Sequence, residues 1–102
     1  MNQMIRSFFL GFVKIHILHH AAEEPVYGLW LIDELNRHGY TISPGTLYPV
    51  FHSLEREGLL VSKREVVQGK VRKYYRTTAK GKKTLQQAKS KVRELLNEID
   101  EA

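Results

Sequence analysis

The sequence predicts a mainly α-helical fold with a β-hairpin wing, a winged helix-turn-helix closed by a C-terminal dimerisation helix. Three observations predict it. Up to Gly58 the apolar residues recur at helical spacing in three separate segments. After Gly58 the period changes, and two runs rich in β-branched and aromatic residues flank Gln68 and Gly69 as the strands of a hairpin would. Beyond Thr78 a helical pattern returns, with Leu85, Ala88, Val92, Leu95 and Ile99 spaced 3, 4, 3, 4, the seam of helices that pair.

The first helix is expected from Met4 to about Ala21. Ile5, Phe8, Phe9, Phe12, Val13, Ile15, Ile17 and Leu18 cover most of its circumference, and a helix apolar on so many sides needs two partners. Its own domain can cover one face; a second subunit is inferred for the other. Ile5, Phe8, Phe9 and Phe12 therefore join Leu85, Ala88, Val92, Leu95 and Ile99 as candidate dimer-interface residues. The uninterrupted apolar stretch Phe8 to Val13 is six residues long before Lys14 and His16 intervene. Crossing a membrane takes about 20, so neither a membrane span nor a signal peptide is expected, and the reading is a soluble cytoplasmic protein. His16, His19 and His20 have metal-ligand spacing, but no carboxylate or thiol is placed to complete a shell, and no metal site or cofactor is expected.

The run AAEEP breaks the pattern, and Tyr27 to His38 resumes it as a second helix that ends at Gly39. Gly28, Leu31, Ile32 and Leu35 share one face, Leu29 falls nearly opposite, and Trp30 sits at the border. A glycine inside a helix costs about 1 kcal/mol, so Gly28 is read as a point of close helix packing. Phe8, Phe12 and Trp30 are first of all core or interface residues. The surplus apolar face of the first helix also makes them the candidates for a pocket between subunits that takes a small aromatic effector.

The third segment, SPGTLYPVFHSLEREGLL from Ser43 to Leu60, holds two prolines where a long helix tolerates few. Either Ser43 is the cap and Pro44 the first helical residue, or Thr46 is the cap and Pro49 lies in the first turn. Both place the prolines near a helix start. Leu47, Val50, Phe51 and Leu54 form the inward face of a helix that runs to about Glu57 and is stopped by Gly58. Tyr48, Pro49, His52 and Arg56 cluster on the other side, flanked by Thr46 and Ser53.

The two hairpin strands are LLVSKREVV and KVRKYYRTT, with Lys70, Arg72 and Lys73 near the turn and Arg64 and Arg76 further down. Tyr74 and Tyr75 alternate faces, one inward and one near the wing surface. Thr78 is positioned to cap a last helix from about Ala79 to Glu101. Residues 1–81 are expected to form the winged domain and 82–102 the dimerisation helix.

With 102 residues the chain is expected to be one small domain with little room for a large internal cleft. It has no cysteine, which removes disulfides, thiolate metal sites and thiol nucleophiles. Only two aspartates occur, Asp33 and Asp100, with no glycine-rich phosphate loop, so an enzyme is not expected. Charge is concentrated: residues 41–83 carry ten Lys or Arg against three acids, while the segments on either side each carry three against four. A concentrated basic patch is the footprint expected for a polyanion such as nucleic acid.

Helix, helix, helix, hairpin, helix is the order in which a third helix enters the major groove and a wing reaches phosphates or the minor groove. On that reading the DNA-binding candidates are Ser43, Thr46, Tyr48, Pro49, His52, Ser53 and Arg56 on the third helix, and Lys70, Arg72 and Lys73 on the wing. The segments Y-G-x-x-L-x-x-x-L at Tyr27 to Leu35, S-x-G-T-L-Y-P at Ser43 to Pro49, L-E-x-x-G-L-L at Leu54 to Leu60 and R-K-Y-Y-R-x-T-x-x-G at Arg72 to Gly81 together resemble the PadR family of bacterial transcriptional regulators. The resemblance implies a homodimeric repressor that binds a palindromic operator in double-stranded DNA and is released by a small molecule. With one short C-terminal helix the chain is similar to the shorter subfamily, some of whose members take flat aromatic drugs between subunits. Their pocket often uses an aromatic residue of the last helix, and this sequence has none after Tyr75. The competing reading is a winged-helix protein–protein adaptor that does not read DNA, since fold alone does not set function.

Overall fold

A computed structural model describes residues 1–101, with the order α1 (Gln3–Glu23), α2 (Gly28–Arg37), α3 (Pro44–Arg56), β1 (Leu60–Val67), β2 (Lys70–Thr77) and α4 (Ala79–Glu101). The Asn2 side chain starts α1 by accepting the Ile5 N–H at 2.9 Å, the bond a cap supplies to an orphan donor. The apolar circumference of α1 then divides. Val13, Ile17, Leu18 and Ala21 go into the core, whereas Phe8 stays on the surface. Helix α2 buries Gly28, Leu31 and Leu35 and leaves Leu29 exposed on the opposite side, as its period requires.

Of the two caps open for α3, the fold uses Ser43. Its backbone is extended, Pro44 is the first helical residue, and the Thr46 and Leu47 N–H groups both donate to the Ser43 carbonyl. Pro49 therefore lies in the second turn, inside the helix. It supplies no N–H for the carbonyl of Gly45, a group at an exposed helix start that water can satisfy. Leu47, Val50, Phe51 and Leu54 are all buried, and Gly58 takes φ +78° where the chain turns out of the helix.

Strands β1 and β2 pair antiparallel from Leu60 with Thr77 to Val67 with Lys70. Gln68 and Gly69 both have positive φ, 51° and 77°, which matches the right-handed twist of a two-residue hairpin. Val26 adds a short bridge that the sequence pattern did not announce, exchanging both backbone hydrogen bonds with Tyr75 at 3.0 and 2.8 Å. Tyr75 is the inward tyrosine, its ring stacked on Phe51 at 4.2 Å. The Thr77 hydroxyl donates to the Leu18 carbonyl at 2.8 Å and ties the hairpin to α1.

One joint unites two of the sequence motifs. The Thr78 hydroxyl accepts the Gly81 N–H at 3.0 Å as the cap of α4, and donates to the Gly58 carbonyl. The Thr78 N–H donates to the Leu59 carbonyl at 3.0 Å, and Gly81 packs directly on that same carbonyl. From this anchor α4 extends along α1, and Gly81 is its one buried residue. Among the described residues no helix is long and apolar enough to cross a membrane.

Candidate nucleic-acid interface

Burial of one side of α3 turns the other outward. His52 and Arg56 are exposed, Pro49 lies beside them, and Thr46 and Ser53 are half-buried at the margin. Ser43 is exposed at the entry of the helix, its hydroxyl 3.3 Å from that of Thr46. Tyr48 is 39 % exposed but not free, because its ring lies against Gly28 of α2 and 6.3 Å from the Phe51 ring. Gly28 does serve close packing, and its partner is this side chain. The sequence pattern alone could not name it.

The three basic candidates of the wing differ in their surroundings. Lys70 is exposed next to the turn and pairs with no carboxylate among the described residues. Arg72 lays its guanidinium over the Tyr27 ring, 4.4 Å from the centroid, while Tyr27 meets Tyr74 edge to face. Lys73 turns back toward α3, its ammonium 3.5 Å from a Glu55 oxygen. Glu55 also accepts a hydrogen bond from the Ser62 hydroxyl. That bond first, and the Lys73 charge after it, hold the Glu55 carboxyl below its usual pKa against the opposing effect of burial. Among the described residues the three wing candidates thus differ in setting: Lys70 has no carboxylate partner, Arg72 is stacked on Tyr27, and Lys73 braces α3 against the wing. Lys63, Arg64 and Arg76 are exposed along the strands and widen the basic surface.

Two basic side chains lie closer to α3 than its distance in sequence suggests. Arg6 and Lys14 of α1 line a cleft against Thr46, Pro49 and Ser53. Counting charge along the chain missed them, because residues 1–40 are nearly balanced and only folding brings this pair beside the third helix.

On the far side of α1 lies an apolar groove of about 730 Å³ between α1 and α4, with Phe8, Phe12, Leu85, Val92, Leu95 and Leu96 among its walls. Phe8 is 64 % exposed and Leu95 52 %. Two aromatic residues of this region lie outside the groove in the single chain. Phe9 does not join the exposed stripe: it packs inward against Tyr40, 5.5 Å between centroids, because it sits about 100° around the helix from Phe8. Within one chain Trp30 does not line this groove, since α2 carries it against the His20 ring at 5.4 Å. Leu96, which the heptad spacing did not include, follows Val92 by one helical turn and widens the exposed apolar stripe of α4. Ile5 and Ile99 are exposed near the ends of their helices, and Ala88 is half-buried.

A helical trio with an outward third helix, a basic hairpin and a joining C-terminal helix defines a winged-helix DNA-binding regulator. Residues 17–87 match the model of the PadR-like family of transcriptional regulators. The chain belongs to that family. It is 50 % identical over 95 residues to the transcriptional regulator Rv3488 of Mycobacterium tuberculosis, covering 93 % of this chain and 89 % of that one. A PadR family transcriptional regulator from Eggerthella lenta superposes with a TM-score of 0.85 at 34 % identity, over 96 % of this chain and 87 % of the other. A PadR-like transcriptional regulator from Bacillus cereus gives 0.79 at 28 % identity, over 98 % and 95 %.

Proposed function

We propose that this chain is a homodimeric repressor that binds a palindromic operator and leaves it when a small-molecule effector binds. The observation that carries the DNA reading is the division of α3 into a fully buried apolar side and an outward side bearing Tyr48, His52 and Arg56. In the major groove those three address base edges or backbone, with Ser43, Thr46, Pro49 and Ser53 alongside. Lys70 meets a phosphate, and Arg72 and Lys73 support the wing on the same strand.

The dimer reading rests on α4. Its Val92, Leu95, Leu96 and Ile99 are exposed in the single chain, and so large an apolar stripe is stable in water when a second copy covers it. Residues 1–81 then form the DNA-binding unit and 82–102 the dimerisation helix. The α1–α4 groove falls within the volume of small-molecule sites, about 300 to 1,000 Å³, and its Phe8 and Phe12 suit a flat aromatic effector. A repressor of this kind works in the cytoplasm.

The test uses the DNA next to the protein's own coding region in a filter-binding titration with specific and random competitors. If each subunit places three or four cations on phosphates, log K falls with log salt at a slope of about −5 to −7, and half-sites lie roughly 10 bp apart or a multiple of that. Binding without salt dependence or sequence preference overturns the reading in favour of an adaptor. For the dimer, Leu95→Glu is expected to give a monomer by sedimentation and to weaken operator binding; a wild-type chain that sediments as a monomer at all concentrations removes it.

A further inference from the structure

The cleft between α1 and α3 has a volume of about 340 Å³ and an unusual charge balance. Arg6, Leu10 and Lys14 are spaced four residues apart and so form one row along α1. Thr46, Pro49 and Ser53 face them from α3. The cleft thus has two cations and no carboxylate among its lining residues. Neither Arg6 nor Lys14 makes an ion pair or side-chain hydrogen bond among the described residues. Arg6 is exposed and Lys14 is half-buried. The α3 residues Thr46, Pro49 and Ser53 that close the cleft belong to the proposed DNA-binding face, so this surface continues that interface.

We infer that α1 is a third arm of the DNA interface, with Arg6 and Lys14 gripping the phosphate backbone of the strand beside the groove that α3 enters. The inference rests on the DNA reading of α3. Eight residues separate the two cations, about 12 Å along the helix axis, so each can reach a different phosphate. Phosphate contacts of this kind position the protein without reading sequence. The row is also separate from the dimer groove, whose α1 walls are Ser7, Phe8, Gly11, Phe12, Ile15 and His19.

The test is a salt titration of DNA binding by the full-length protein carrying Arg6→Ala, Lys14→Ala, Arg6→Lys or, as a control on the exposed face of α4, Lys91→Ala. Each alanine change on α1 is expected to weaken operator and random DNA alike by about three- to tenfold, and to make the salt slope shallower by about 2, since a dimer loses two contacts. Arg6→Lys keeps the slope, and Lys91→Ala behaves as wild type. Urea unfolding of each variant separates a lost contact from a lost fold. If wild type binds with a steep slope and both alanine variants match it, the α1 arm is wrong while the DNA reading stands. If wild type itself binds no DNA, the reading of α3 fails and the arm with it.

Discussion

The hydroxyl oxygen of Tyr48 lies 2.6 Å from the point a Cβ on residue 28 would occupy, so the absence of a side chain at Gly28 is what seats this ring between α2 and α3. Two motifs distant in sequence are one packing unit. Gly28→Ala is expected to push the ring outward, lower stability by about 1 to 3 kcal/mol and weaken operator binding. In a double-mutant cycle Tyr48→Ala should cost less stability in the Gly28→Ala background than in wild type, because the clash has gone. Urea denaturation of the four proteins measures this, and strict additivity would contradict the contact.

Gly81 has a harder neighbour. A Cβ there falls on the Leu59 carbonyl oxygen, which is backbone and already accepts the Thr78 N–H. Gly81→Ala is expected to lose about 3 kcal/mol or more, clearly more than Gly28→Ala, whose obstacle is the end of a side chain that can move. Thermal unfolding ranks the two, and an equal or reversed order would refute the joint.

Lys70 and Lys73 are predicted to separate in function. Lys70→Ala should make the salt slope of DNA binding shallower by about 2 per dimer. Lys73→Ala, which removes the partner of Glu55, should leave the slope near wild type and cost no more than about 1 kcal/mol of stability, since the pair is partly exposed. Filter binding and urea unfolding on the same preparations distinguish them.

Acid should loosen the contact between α1 and the end of α2. His16 lies 6.1 Å from the His20 ring and 5.6 Å from that of His38, and it also meets Phe12 and Tyr40. Burial comes first in lowering the pKa of His16 and of His20, followed by neighbouring imidazoles: His20, His38 and His19 around His16, and His19 then His38 around His20. Glu34 opposes both shifts, and Glu23 opposes that of His20. The unfolded chain protonates these rings near the ordinary 6.5 and the folded chain only at lower pH. Their contribution is therefore complete above that value and is lost as pH falls through the folded pKa values. Melting curves between about pH 8 and pH 5 should show the decline, and His16→Gln should flatten it. The carboxylates of Glu34 and Glu55, also lowered, act in a separate window below their ordinary 4.5.

Much of the fold was legible because its signals are local. The period of Leu47, Val50, Phe51 and Leu54 names the buried side of α3 whatever it packs against, and Gln68-Gly69 between β-rich runs names the turn. Heptad spacing marked the apolar stripe that α4 leaves exposed in the single chain. The missed features are contacts between elements. Val26 pairs with Tyr75 across the chain, and nothing around AAEEP predicts a bridge; Phe9 and Trp30 went elsewhere because helix rotation, not composition, decides which neighbour an aromatic ring meets.

By itself the sequence determined the element order, the inward faces and the basic middle, since periodicity and turn chemistry act within a few residues. The tertiary structure decided which charges are free, which are braced and which arrive from afar. Lys73 is paired with Glu55, Arg72 lies over Tyr27, and Arg6 and Lys14 stand beside α3, because a charge acts on its neighbours in space and folding chooses those neighbours.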